Sequence, residues 1–143
     1  MKTRMQVIED FIEALRRIDG RTSPWNSDYD FSTDLHGDVY YGFNDDVNSF
    51  PQVQIIINDE RIYSIGGGVR FSNIELQIRC YTYDESVEES GEALASDIEH
   101  VISAYRLWAP DIDDFRIASV ETDGGINAPY GAAIITAQVL FRR

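Results

Sequence analysis

From Ile74 to Tyr81 the chain alternates without a break, with Ile74, Leu76, Ile78 and Cys80 on one side and Glu75, Gln77, Arg79 and Tyr81 on the other. A period of two is the signature of a β-strand, and a clean split between apolar and polar residues means a sheet with one buried face. The other face is wet or meets another protein. The strand is predicted over Val69 to Tyr83, and its apolar side needs a covering layer. Two amphipathic segments can supply one. Val7, Ile8, Phe11, Ile12 and Leu15 form one helical face, with Glu9, Asp10, Glu13, Arg16 and Arg17 opposite, over Thr3 to Ile18; Asp19-Gly20 gives the stop. A second helix is predicted from Val87 to Leu107, with Val87, Leu94, Ala95, Ile98, Val101, Ile102 and Tyr105 as its buried stripe. Ser86 and Glu89 have the spacing of a capping box at its start, and Pro110 with Asp111, Asp113 and Asp114 ends it.

Between the first helix and the first clear strand, Arg21 to Leu35 reads as a long irregular crossing whose Trp25, Tyr29 and Phe31 pin it to the body. Asp38 to Phe43 suggests a short strand, followed by the turn-rich Asn44-Asp45-Asp46-Val47-Asn48-Ser49. Val53 to Ile57 is a clearer strand. Asn58-Asp59-Glu60 reads as a tight turn into Arg61 to Ile65, and Gly66-Gly67-Gly68 as the next bend. Phe115 to Thr122 and Ala132 to Phe141 flank the loop Asp123 to Gly131, with Ile135, Ala137, Val139 and Phe141 facing the core. Helix two therefore joins strands that could lie side by side. The order predicts an α+β fold, a mainly antiparallel sheet with two principal helices packed on one face, as one domain over residues 1–143.

Charge narrows the function. Acids outnumber bases to a formal net charge of −13. No basic footprint for nucleic acid and no polybasic patch for anionic membranes is present. Thr22 to Glu60 contains no Lys or Arg but holds Asp28, Asp30, Asp34, Asp38, Asp45, Asp46, Asp59 and Glu60; Cys80 to Tyr105 is also free of bases. Such a surface is either a solubilising one or one that must not adhere to a passing polyanion. No run reaches the length of a membrane-spanning helix, and Met1 to Met5 leads straight into a charged amphipathic stretch rather than the apolar centre of a signal peptide. The single Cys80 cannot form an internal disulfide, so a soluble protein folding in a reducing cytosol is expected.

No catalytic, metal-binding or cofactor-binding set emerges. His36 lies in an acidic loop and His100 on the polar side of helix two; neither has a partner at zinc-like spacing, and both are read as solvated. Cys80 reads as a small buried hydrophobe. Asp28 to Asp34 offers alternating oxygens like a calcium loop, but Thr33 stands where the turn needs Gly and Val39 where a bidentate Glu belongs. Gly66-Gly67-Gly68 precedes a strand rather than a helix, so it is no phosphate cradle.

Several segments together are similar to the tail terminator, or tail completion, proteins of long-tailed bacteriophages. They are the N-terminal helix with its long arm, Phe50-Pro51-Gln52-Val53-Gln54-Ile55, Ile74 to Ser86 leading into Glu92 to Glu99, and Thr122-Asp123-Gly124-Gly125 with Ala128-Pro129-Tyr130-Gly131 before a closing strand. The resemblance implies a non-enzymatic virion assembly protein without cofactors, made and assembled in the host cytoplasm and resident in the virion tail. It implies a homo-oligomeric ring, a hexamer in that family, that caps the head-proximal end of the tail tube, stops tube growth and presents a surface to the head completion or connector protein. DNA would pass through without specific binding, and no membrane is involved. Candidate contacts with a neighbouring subunit or the tube are Asp123, Gly124, Gly125, Asn127, Pro129 and Tyr130, with the arm Arg21 to Asn48. Candidate channel-lining acids are Asp28, Asp30, Asp34 and Asp38. The alternatives are a head-to-tail joining or tail-tube protein, or a small acidic ligand-binding domain or enzyme.

Overall fold

The structure, a computed structural model, describes residues 2–44, 47–84, 87–123 and 126–143. Asp45 and Asp46 of the expected turn, Ser86 of the expected capping box, the Val87 side chain, and Gly124 and Gly125 lie outside the described residues. The elements are α1 (Arg4–Leu15), β1 (Val39–Tyr41), β2 (Gln52–Ser64), β3 (Arg70–Tyr83), α2 (Val87–Ser103), α3 (Tyr105–Trp108), β4 (Ile112–Thr122) and β5 (Tyr130–Arg142). The strands form one sheet in the order β1-β2-β3-β5-β4. Among the described residues only β1 and β2 run parallel; every other neighbouring pair is antiparallel. The predicted α+β class is what folds.

Alternation in β3 does what its period requires. Ile74, Leu76, Ile78 and Cys80 are buried and face inward beside Val139, Ala137, Ile135 and Ala133 of β5. They join Val7, Ile8, Phe11 and Leu15 of α1 and Leu94, Ile98 and Val101 of α2 in one core, so both helices cover the same face. Phe11 meets Phe115 edge-on at 4.8 Å and stacks on Trp108 at 5.9 Å, tying α1 to the start of β4. The opposite face of the sheet carries no helix among the described residues.

Four expectations need correction. Asn58-Asp59-Glu60 is no turn: β2 runs through it as a single strand with a register shift between Ile57 and Asp59. The polar residues are held there by partners from elsewhere in the chain. Asn58 donates to Glu75, Ser72 donates to Glu60, and Arg4 and Arg143 both pair with Glu60. The first helix stops at Leu15 rather than Ile18, because the arm returns to take the Ile18 carbonyl with the Leu35 amide. The second helix breaks at Ala104; the Val101 carbonyl at the α2 end accepts from both the Ala104 amide and the Trp108 indole. Finally, β3 and β4 are not adjacent, since β5 lies between them. β5 has the more regular apolar alternation and takes the central position, leaving β4, exposed from Ala118 onward, at the edge.

Candidate assembly interface

The long arm is held to the body by core contacts of Phe31 and Leu35 and by a polar anchor on α2. Asp97 of α2 is fully buried and accepts four hydrogen bonds from the arm: the Tyr29 hydroxyl at 2.9 Å, the Ser32 amide at 3.2 Å, the Thr33 amide at 2.8 Å and the Thr33 hydroxyl at 2.6 Å. A buried carboxylate is tolerated only when its oxygens are satisfied in this way. One turn further along α2, His100 stacks flat on Tyr29 with ring centroids 3.9 Å apart, and its Nε2 lies 2.8 Å from the Ser23 hydroxyl. His100 is therefore half-buried under the arm, where a solvated side chain was expected. Burial lowers its pKa, opposed by the nearby Asp97 charge. Burial, then the bond to Asp97, push the Tyr29 hydroxyl up to about 12. In the sequence, Asp97 was one acid in a base-free stretch. The available signal was its place on the stripe side of α2, one residue before Ile98.

Beyond β1 the arm crosses to the uncovered face of the sheet. There Phe43 lies over the Arg79 guanidinium, 3.6 Å from ring centroid to Cζ, and the Gln54 side chain bonds both the amide and the carbonyl of Asn44. The segment then reaches Phe50, which meets Tyr83 at 6.0 Å and Tyr130 at 5.7 Å; Tyr83 and Tyr130 are 5.0 Å apart. This corner brings together two segments that the sequence singled out separately, the end of the arm and the loop before β5. The loop is closed by backbone bonds from Tyr130 to Asn127, from Asp123 to Ala132 and from Asp84 to Pro129. Val47, Phe50, Tyr81, Asp123, Asn127 and Tyr130 line a recess of about 430 Å³ beside it. Tyr83 and Tyr130 remain 56% and 52% exposed, and Ile126 is 84% exposed. Large aromatic and aliphatic side chains are thus left in contact with water at one corner. Of the expected contact residues, Asp123, Asn127, Pro129 and Tyr130 stand here.

The four candidate channel acids do not form one row. Asp28, Asp30 and Asp34 lie on the part of the arm held against α2; Asp30 accepts from the Thr22 hydroxyl and Asp34 from the His36 amide. Asp38 stands at the start of β1 and accepts from the Tyr40 hydroxyl. Glu89, Glu92 and Glu99 of α2 are exposed as well. Lys2, Arg4, Arg61, Arg70, Arg142 and Arg143 gather instead at the β2–β3 hairpin end, where Lys2 bonds Arg142 and Arg143 bonds Arg70 through the backbone. Among the described residues no group of three or more His, Cys, Asp or Glu is placed to hold a metal ion, and no helix is long and apolar enough to cross a membrane. Burial pushes the Cys80 thiol up to about 12, which leaves it protonated and inert at neutral pH.

Comparison with known proteins gives this surface a context. Residues 1–143 match the family described as bacteriophage tail tube terminator protein. The tail tube terminator protein p142 of Escherichia phage T5 is 30% identical over 129 residues, covering 79% of this chain and 80% of that protein. A chain in the virion of a native gene transfer agent particle shares the fold with a TM-score of 0.54 at 10% identity, over 76% of this chain and 82% of its own.

Proposed function

The chain belongs to the bacteriophage tail tube terminator family, which makes it a structural protein of the virion tail, and from that premise we propose that it closes into a hexameric ring on the head-proximal end of the tail tube. The ring ends tube growth and offers its far side to the head completion or connector protein. Its role is assembly, without turnover and without a cofactor. The observation that carries the reading is the exposed aromatic corner where the arm and the Asp123-to-Gly131 loop converge, with Phe50, Tyr83 and Tyr130 in mutual contact. Aromatic side chains held rigid at a water-exposed site are the usual anchors of a protein interface. We assign Asp123, Gly124, Gly125, Asn127, Pro129 and Tyr130 to contacts with the tube or a neighbouring subunit. Asp28, Asp30, Asp34 and Asp38 are assigned to the lining of the DNA channel, where a collar of like charge keeps DNA from adhering.

Electron microscopy of tail tubes assembled with and without the chain tests this reading. Tubes of uniform length carrying a ring at one end are expected in its presence, and tubes of unregulated length in its absence. Tubes with the same lengths and bare ends in both cases would overturn it.

A further inference from the structure

The sheet has two unlike open edges. On one side β1 covers only Val53 to Ile55 of β2, so among the described residues no strand pairs with the outer edge of β2 from Ile57 to Ser64. On the other side lies β4, whose outer edge is likewise unpaired among the described residues. Long unpaired edges invite another strand, and natural proteins cover or blunt them unless they are used. Exposed Tyr40, Tyr41, Ile62 and Tyr63 lie along the first edge and Val120 along the second.

Strand direction decides how the two edges can meet. From β2 through β3 and β5 to β4 the chain reverses at each step, so β2 and β4 run in opposite directions. Copies related by rotation about a ring axis would therefore bring β4 of one against β2 of the next as an antiparallel pair, on the same sheet face. Register follows from the cross-strand rows. Arg61 is level with Asn73, Leu140 and Asp114; Asp59 is level with Glu75, Gln138 and Arg116. A neighbour added without stagger sets Asp114 opposite Arg61 and Arg116 opposite Asp59, two ion pairs of opposite sign. Sliding the strands by two residues sets Arg116 against Arg61 in one direction and Asp114 against Asp59 in the other. Like charges directly opposed are destabilising, so charge selects a single register.

We propose that the ring is built by edge-to-edge β-pairing between copies, Ile112 to Ile117 of β4 against Ile57 to Ile62 of β2 in the next subunit. The inference rests on the ring reading above and supplies its contact. The pair is heterologous, as a closed ring requires. β1 occupies the lane outside β2 at Val53 to Ile55, so the pairing stops at Ile57; the register shift in β4 between Ile117 and Ser119 falls at the same level.

Cysteine cross-linking of the full chain carrying Arg61→Cys and Asp114→Cys tests this. Within one copy the two positions are three strand spacings apart, roughly 14 Å, beyond the reach of a disulfide, which needs Cα atoms within about 7 Å. Any bond between them joins two copies, and the buried Cys80 does not compete. Oxidation is expected to give a ladder ending at the ring's copy number, with the pair Arg61→Cys and Arg116→Cys, one step out of register, at least about fivefold weaker. Arg61→Asp alone should raise the concentration for half-assembly roughly tenfold, and Asp114→Arg added to it should restore most of that. A wild-type ring by native mass with no 61–114 ladder and no effect of either charge change refutes the edge pairing and leaves the ring standing. Asp114→Cys alone giving only dimers also refutes it, because two β4 edges would then be paired. A wild-type chain that stays monomeric, free and at tube ends, removes the ring and the pairing together.

Discussion

Replacing Asp97 by Ala should release the arm. The carboxylate is fully buried and accepts four hydrogen bonds from Tyr29, Ser32 and Thr33. Bonds to a charged group contribute about 1.5–3 kcal/mol each, but four of them on one carboxylate do not add. Ser32 is exposed and Thr33 half-buried, so once the carboxylate is gone their donors can turn to water. The loss should therefore be about 3 kcal/mol, the upper end of what leaving buried neutral donors without their acceptor costs. At roughly 2–4 °C per kcal/mol for a chain of this size, the melting temperature should fall by about 10 °C. Asp97→Asn keeps the shape and one acceptor but must aim an N–H₂ at a donor, so it should lose about half as much. Urea titration measures the loss, and hydrogen exchange locates it: the Ser32 and Thr33 amides should lose protection while Ile78 in β3 keeps its own. A loss below about 1 kcal/mol with unchanged exchange at Ser32 and Thr33 would show that the arm is held by other contacts.

Three further outcomes follow from the same geometry. The Tyr29 hydroxyl and the Cys80 thiol are both pushed up to about 12, above ordinary values of 10.0 and 9.0; folding favours their protonated forms, so their contribution is complete below pH 9 and is lost between about pH 9 and 12. Tyr29→Phe should flatten the upper part of that decline in a pH series of urea titrations. Phe50→Ala and Tyr130→Ala should each leave the melting temperature within a few degrees, because Tyr130 is half exposed, yet weaken binding to tube ends at least about tenfold, as loss of an interface anchor does. Changing Asp28, Asp30, Asp34 and Asp38 together to Lys should leave the chain folded and create salt-sensitive DNA affinity in a filter-binding assay; folded protein with no such affinity, in particles with unchanged DNA release, would remove these acids from the channel.

The parts of the fold that could be read from sequence were those in which one residue pattern decides the outcome. Ile74 to Cys80 alternate and are buried in alternation; Leu94, Ala95, Ile98, Val101, Ile102 and Tyr105 repeat at helical spacing and face the core. Asn58-Asp59-Glu60 misleads because the local preference for a turn is overridden by distant partners: Glu60 is held by Arg4 and Arg143 from the two ends of the chain. The place of β5 between β3 and β4 is a competition between two strands for a central lane, and no local pattern states its result. At the interface, the loop and the arm were each conspicuous for length and turn-rich composition. That Phe50 and Tyr130 would meet at 5.7 Å depends on the arm crossing the open sheet face, where its Phe43 packs on Arg79. Asp97 was hidden by abundance, one carboxylate among many in an acidic chain, and only burial distinguishes it.

The ring at the tube end is the central claim, and the native mass of the assembly tests it most directly. Tail tubes capped with the full chain, released and weighed intact, should yield a closed hexamer with no larger or open-ended series. A chain that is monomeric both in solution and on the tube would contradict the account, and a continuous series of stacked multimers would make the protein a polymerising tube subunit instead.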